Sequence, residues 1–138
     1  MIKRIGIFIG LFLAALVIAS CKSGGSVNTL NDMTAKARNV VTSMSKSDYA
    51  SATKDFDAKM KGAFTPDVLK KVWAMITVPG SKLKGFGEAR AATERGYDEV
   101  LLKCNFDNGN AELKFVFNDQ KQISGMWMVE SHITGNRK

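Results

Sequence analysis

The sequence predicts an α+β domain, with three N-terminal helices packed on a curved four-stranded antiparallel sheet, after a cleaved signal peptide. Three observations carry that prediction. Apolar residues recur at helical spacing from Leu30 to Ile76. Beyond Pro79-Gly80 the apolar period drops to two. Two turn signals, Asp107-Asn108-Gly109-Asn110 and Asn118 to Lys121, then divide the strand-like half.

Leu30, Met33, Ala37, Val40, Val41 and Met44 set a first helix over 29–45, and Asn28, Asn31 and Asp32 cap or charge its start. Ser47-Asp48 opens a second helix, with Tyr49, Ala52, Phe56 and Met60 as its apolar stripe and Gly62 at its end. Thr65-Pro66-Asp67 combines an N-cap hydroxyl, a proline at the first helical position and an acid in the first turn. That start serves a third helix facing inward through Leu69, Val72, Trp73 and Ile76.

Gly85 to Glu94 reads as a weak first strand, with Gly87, Ala89, Ala91 and Thr93 on one face and Phe86, Glu88, Arg90 and Ala92 on the other. Arg95-Gly96 turns it. Tyr97 to Phe106 follows, with Val100, Leu102, Cys104 and Phe106 alternating. In the third strand Ala111, Leu113, Phe115 and Phe117 point inward and Glu112 and Lys114 outward. Gln122 to Ser131 is the last strand, with Ile123, Gly125, Trp127 and Val129 on one face and Met126 and Met128 on the other.

Ahead of the domain, Lys3 and Arg4 precede an uncharged run from Ile5 to Ala19. That run has the anatomy of a signal peptide and falls short of the roughly 20 residues a spanning helix needs. It ends in Ile18-Ala19-Ser20-Cys21, which resembles the lipobox of bacterial lipoproteins. The resemblance implies cleavage between Ser20 and Cys21, acylation of Cys21, and attachment of the mature chain to a membrane through that lipid. Two or more acyl chains hold a protein stably on a bilayer. The alternatives are a plain N-terminal anchor and a secretory signal with a chance cysteine. Lys22, rather than an aspartate, follows the cysteine, and no acidic tract is near it. For a lipoprotein of the bacterial envelope this implies the outer membrane, facing the periplasm. The expected organisation is a signal peptide over 1–20, a flexible tether over 21–28, one domain over 29–131 and a polar tail over 132–138.

The chain has 20 Lys and Arg against 13 Asp and Glu, a net charge of +7. The excess is dispersed, with Lys59, Lys61, Lys70 and Lys71 its densest part. Nucleic acid is not an expected partner, because no zinc-ligand set, stacking-aromatic motif or arginine-rich arm is present. A solvated surface accounts for the charge, and contact with anionic lipid head groups or cell-wall polymers is the sharper reading. With Cys21 taken by lipid, Cys104 is left without a disulfide partner and reads as a small buried hydrophobe.

Several stretches in order carry a second resemblance. They are Ser47-Asp48-Tyr49-Ala50, Phe64-Thr65-Pro66-Asp67-Val68-Leu69 with Trp73, Gly85-Phe86, Tyr97 through Cys104-Asn105-Phe106, Leu113 to Phe117, and Gln122-Ile123-Ser124-Gly125-Met126. Over roughly residues 30–130 the chain resembles a family of bacterial domains of unknown function with a nuclear transport factor two-like, cystatin-like cone fold. The resemblance implies a small secreted or lipid-anchored domain, sometimes fused ahead of a hydrolase, and brings no established site residues.

No catalytic residue, metal site or cofactor is expected. His132 is the single histidine and lies in the polar tail, while Asp55, Asp57 and Asp98 are the carboxylate candidates, of which Asp55, between Lys54 and Phe56, fits a solvated helix face. No acid, cysteine or histidine cluster has metal-ligand spacing. The leading expectation is a non-enzymatic module that binds a small ligand or an envelope protein. Its pocket candidates are Tyr49, Phe56, Trp73, Phe115 and Trp127, which also read as ordinary core. A competing expectation is a homodimer formed through the sheet's outer face at Leu101, Val116, Met126 and Met128. A third is a cone-fold isomerase or dehydratase with an acid in an enclosed pocket.

Overall fold

The computed structural model describes residues 24–135. The expected signal peptide, with Ser20 and Cys21, lies outside the described residues. Helix α1 spans Gly24–Ser45, so residues 24–28, expected as tether, are helical. It ends where Ser47 takes a left-handed φ of 60°. Asp48 N–H then donates back to Ser43 O at 2.9 Å, and the doubled-back chain satisfies carbonyls at the helix end. The Asp48 carboxylate in turn accepts from Ser51 N at 3.1 Å and starts the next element.

The expected second helix is two short ones, α2 (Tyr49–Ala52) and α3 (Ala58–Ala63). The backbone between them is used by the sheet. Ile123 N–H donates to Asp55 O at 2.8 Å, and Asp57 N–H donates to Ile123 O at 2.9 Å. These bonds flank a parallel bridge between Phe56 and Ile123. Asp57 restarts the helix by accepting from Met60 N at 2.7 Å. Helix α4 (Pro66–Ile76) begins on the Thr65 cap that the Thr-Pro-Asp sequence predicts.

Strands β1 (Leu83–Glu94), β2 (Tyr97–Phe106), β3 (Gly109–Phe117) and β4 (Ile123–Ser131) form an antiparallel sheet in the order β1-β2-β3-β4. The helices cover one face. Val40, Val41 and Met44 of α1 and Leu69 of α4 meet Val100, Leu102, Leu113, Phe115 and Phe117 of the sheet in one core. Phe56 and Ile123 join it with no exposed surface. Cys104 is free and buried, and burial pushes its thiol pKa up to about 12. It is an inert part of the core.

One register feature reverses the expected faces of β4. Phe117 pairs with Ile123, but Val116 pairs with Gly125, which leaves Ser124 as an extra residue. A bulge of this kind swaps the two faces beyond it. Met126 therefore lies opposite Phe115 and Met128 opposite Leu113, on the helix side, while Trp127 lies opposite Lys114 on the other. A second irregularity, at Val129, restores the phase, so Glu130 pairs with Glu112. An extra residue between Phe86 and Ala89 acts likewise in β1: Phe86 and Ala89 share the helix side, and Gly87 backs onto the Lys103 side chain.

The expected polar tail is attached over its first residues. His132 N–H donates to Asn110 O at 2.7 Å and Thr134 N–H to Asn108 O at 3.0 Å. Gly109 makes that approach possible. Its φ is 143°, and a Cβ there would lie 2.0 Å from His132 O.

Candidate functional site

The face of the sheet without helices carries a groove of about 680 Å³. Its floor follows from strand alternation. Glu99 on β2 and Lys114 and Val116 on β3 point away from the core, because Val100, Leu113 and Phe115 point into it. Tyr97 opens β2 beside the Arg95-Gly96 turn. Asp57 and Lys59 come from the start of α3, and Ser124 and Trp127 from β4.

Lys114 organises the floor. Its ammonium lies 3.3 Å from Glu99 and 3.7 Å from Glu94. It also stands 5.7 Å from the centre of the Trp127 ring. Glu99 is only 7 % exposed, so Lys114 balances a carboxylate largely removed from water. On the other side of β2, opposite the buried Phe117, Lys121 holds Asp98. Its hydrogen bond and charge lower the Asp98 carboxyl below the ordinary aspartate value. On the groove side of the sheet, Arg90 donates from a single nitrogen, Nη2, to both carboxylate oxygens of Glu112, at 2.7 and 2.9 Å.

Two aromatic side chains stand out of this surface. Tyr97 and Trp127 are each 54 % exposed. The benzo ring of Trp127 covers Gly125, whose missing side chain gives it room.

Residues 37–126 match the family model described as "Protein of unknown function (DUF3887)". The chain belongs to this family. No curated protein and no solved structure matches it. The expected membership of a family of domains of unknown function is met at that level. The DUF3887 match takes in Lys59, Arg95, Tyr97, Glu99 and Lys114, and Trp127 follows directly after its end.

The pocket residues expected from the sequence do not come together in this DUF3887 domain. Phe56 and Phe115 are fully buried core. Tyr49 and Trp73 are partly buried against that core, and Trp73 packs on Phe106 with ring centres 5.8 Å apart. Trp127 is the one that is more than half exposed, and it is on the opposite face. The expected interaction face divides too. Leu101 and Val116 are on the outer face and partly buried, while Met126 and Met128 are on the helix side because of the bulge at Ser124.

Among the carboxylates, Asp57 caps α3, Asp98 is paired with Lys121, and the Asp55 carbonyl receives Ile123. His132 is exposed, with Nε2 2.6 Å from Glu130. Among the described residues no group of three or more His, Cys, Asp and Glu side chains forms a metal site. No described helix is long and apolar enough to cross a membrane.

Tyr97, Glu99, Lys114, Arg95 and Lys59 were not among the expected site residues. Alternation along β2 and β3 was the available signal for Glu99 and Lys114. No motif marked the contributions of α3 and the first turn.

Proposed function

We propose that the chain is a lipid-anchored, non-enzymatic binding module of the bacterial envelope, and that its site is the groove on the helix-free face of the sheet. The observation that carries this reading is the pair of half-exposed aromatics, Tyr97 and Trp127, on a preformed polar floor. Aromatic anchors with fixed polar groups between them are the usual composition of binding surfaces. The filled interior supports the outer face over an internal pocket. Phe56, Phe115, Phe117 and Met44 occupy the space between helices and sheet with no more than 1 % exposure. An isomerase or dehydratase of the cone type would set an acid inside that space. The buried acid here, Glu99, belongs to the opposite face.

Helices on one side of a bulged, four-stranded antiparallel sheet support a nuclear transport factor two-like cone. The Ile18-Ala19-Ser20-Cys21 stretch supports acylation at Cys21, and Lys22 supports outer-membrane placement facing the periplasm. With α1 starting at Gly24, the domain sits close to the lipid.

The test of the site is thermal melting of the detergent-purified mature chain with fractionated envelope extract. A shift present in the parent and lost in Trp127→Ala supports the groove. An equal shift in both sinks it. The anchor is tested by Cys21→Ser, which should release the protein from membranes on carbonate washing.

Self-association is the second reading, and a specific observation favours it. Strand β4 is a sheet edge, and Trp127, Met128 and Val129 lie exposed on it near Met75 of α4, itself 72 % exposed. Sedimentation at micromolar concentration decides it: a tight dimer abolished by Val129→Lys favours assembly, and a monomer ends that reading.

A further inference from the structure

We propose that two copies of the chain pair antiparallel along β4, with Trp127 of each at the twofold axis, so that their grooves join into one. This rests on self-association of the chain, and names its register and its consequence for the site. The two edges of the sheet differ. Strand β1, at one edge, carries Lys84, Glu88, Arg90 and Glu94. Charges of that kind keep an edge from pairing with another chain. Strand β4, at the other edge, has no charged residue from Ile123 to Val129, and it exposes Trp127, Met128 and Val129. It is bulged at Ser124 and Val129, but the stretch between, Gly125 to Met128, is regular.

The backbone of β4 fixes which residues are free to pair. Ile123 turns its N–H and C=O away from β3, since both bond to the segment between α2 and α3. His132 turns its N–H toward β3, onto Asn110 O. Alternation between these ends, with the extra residues at Ser124 and Val129, makes Met126 and Met128 the residues that face away from β3. A second β4 running antiparallel satisfies both when Met126 meets the partner's Met128 and Met128 the partner's Met126. Trp127 then faces the partner's Trp127 as a non-hydrogen-bonded pair, in which side chains stand closest. The Phe56 bridge to Ile123 ends the pairing on that side.

Charge favours a second copy over a foreign strand. At one end of the free stretch, Lys59 lies beside Ser124, Gly125 and Trp127 and has no carboxylate partner among the described residues. At the other end, Glu130 lies across from Glu112, a like-charge pair, and Arg90 is given to Glu112. Both Lys59 and Glu130 are on the groove side. Antiparallel pairing carries Glu130 of one copy to the Ser124 end of the other, beside Lys59, and the twofold makes that contact twice. On the helix side, the apolar surface of Met75, Met126 and Met128 meets its own copy across the axis. Because Trp127 lines each groove, the pair at the axis turns two grooves into halves of one surface.

The test uses the detergent-purified mature chain at micromolar concentration. Sedimentation should find a dimer. Lys59→Glu or Glu130→Lys alone should weaken it by about tenfold, because each reversal sets like charges together on both sides of the axis. The two changes combined should restore it, which also excludes misfolding as the cause of the loss. Oxidation reads the register. Trp127→Cys should close a disulfide between copies, since facing residues of such a pair are about 4.5 Å apart at Cα. Val129→Cys should not, because its counterpart lies about 13 Å further along the partner strand, beyond the roughly 7 Å a disulfide spans. The parent should stay uncrosslinked, as Cys104 is buried. A monomer at every concentration overturns self-association and this pairing together. A dimer indifferent to the charge reversals, or one that crosslinks at position 129 and not at 127, overturns the β4 register alone and leaves self-association through another face.

Discussion

The indole of Trp127 occupies the space a side chain on Gly125 would need: a Cβ built on Gly125 would lie 2.3 Å from the ring. The ring is half exposed and can swing outward, so relief of the clash does not require the sheet to move. Gly125→Ala should therefore change stability by only about 1 kcal/mol or less. It should displace Trp127, red-shift its emission and remove the melting shift with envelope extract. Unchanged emission would mean that the glycine does not set the ring's position.

The pairing of Lys114 with Glu99 makes a second prediction. Lys114→Ala leaves the Glu99 carboxylate largely out of water without its counter-charge, and should cost about 1–3 kcal/mol in urea unfolding. Adding Glu99→Gln removes the stranded charge. The double variant should recover part of that loss, and a strictly additive result would deny the coupling.

The bulge at Ser124 explains why the site was only half legible in the sequence. The class of the fold, the four strands, the three hairpin turns and the Thr65 cap follow from periodicity and turn chemistry, which act over a few residues. The side of the sheet on which Trp127 lies does not. Strict alternation places Trp127 with Ile123 in the interior, and one extra residue in β4 moves it to the outer face. The break after Ala52 is equally non-local, since it depends on Asp55 and Asp57 pairing with Ile123, far along the chain. Local pattern carries no record of either partner.

The ion pair of Asp98 with Lys121 ties stability to acid. The Asp98 pKa is lowered in the folded protein, chiefly by the Lys121 hydrogen bond. Its contribution is therefore complete above the ordinary aspartate value and is lost as pH falls through the lowered one. Both side chains are about a third exposed, so the effect is small and salt-sensitive. Carbon-detected NMR titration should find Asp98 below the ordinary value in the parent and close to it in Lys121→Ala. The two proteins should also converge in stability as the solution is acidified. A parent whose Asp98 titrates normally would remove the pair from the account.

Arg95 separates what the fold prefers from what the groove uses. It occupies the first position of a two-residue turn, with φ values of 53° at Arg95 and 83° at Gly96. Turns with two left-handed residues favour the pair Asn-Gly. The asparagine tolerates this backbone because its short side chain bonds locally. Arg95→Asn supplies that pair and should stabilise the domain by about 0.5–1 kcal/mol. The same change removes the guanidinium from the groove, so the melting shift with envelope extract should shrink while thermal stability rises. A stability gain with an unaltered extract-induced shift would show that Arg95 contributes only to the turn. A loss of stability would mean that the arginine makes a folded-state contact strong enough to offset its unfavourable backbone.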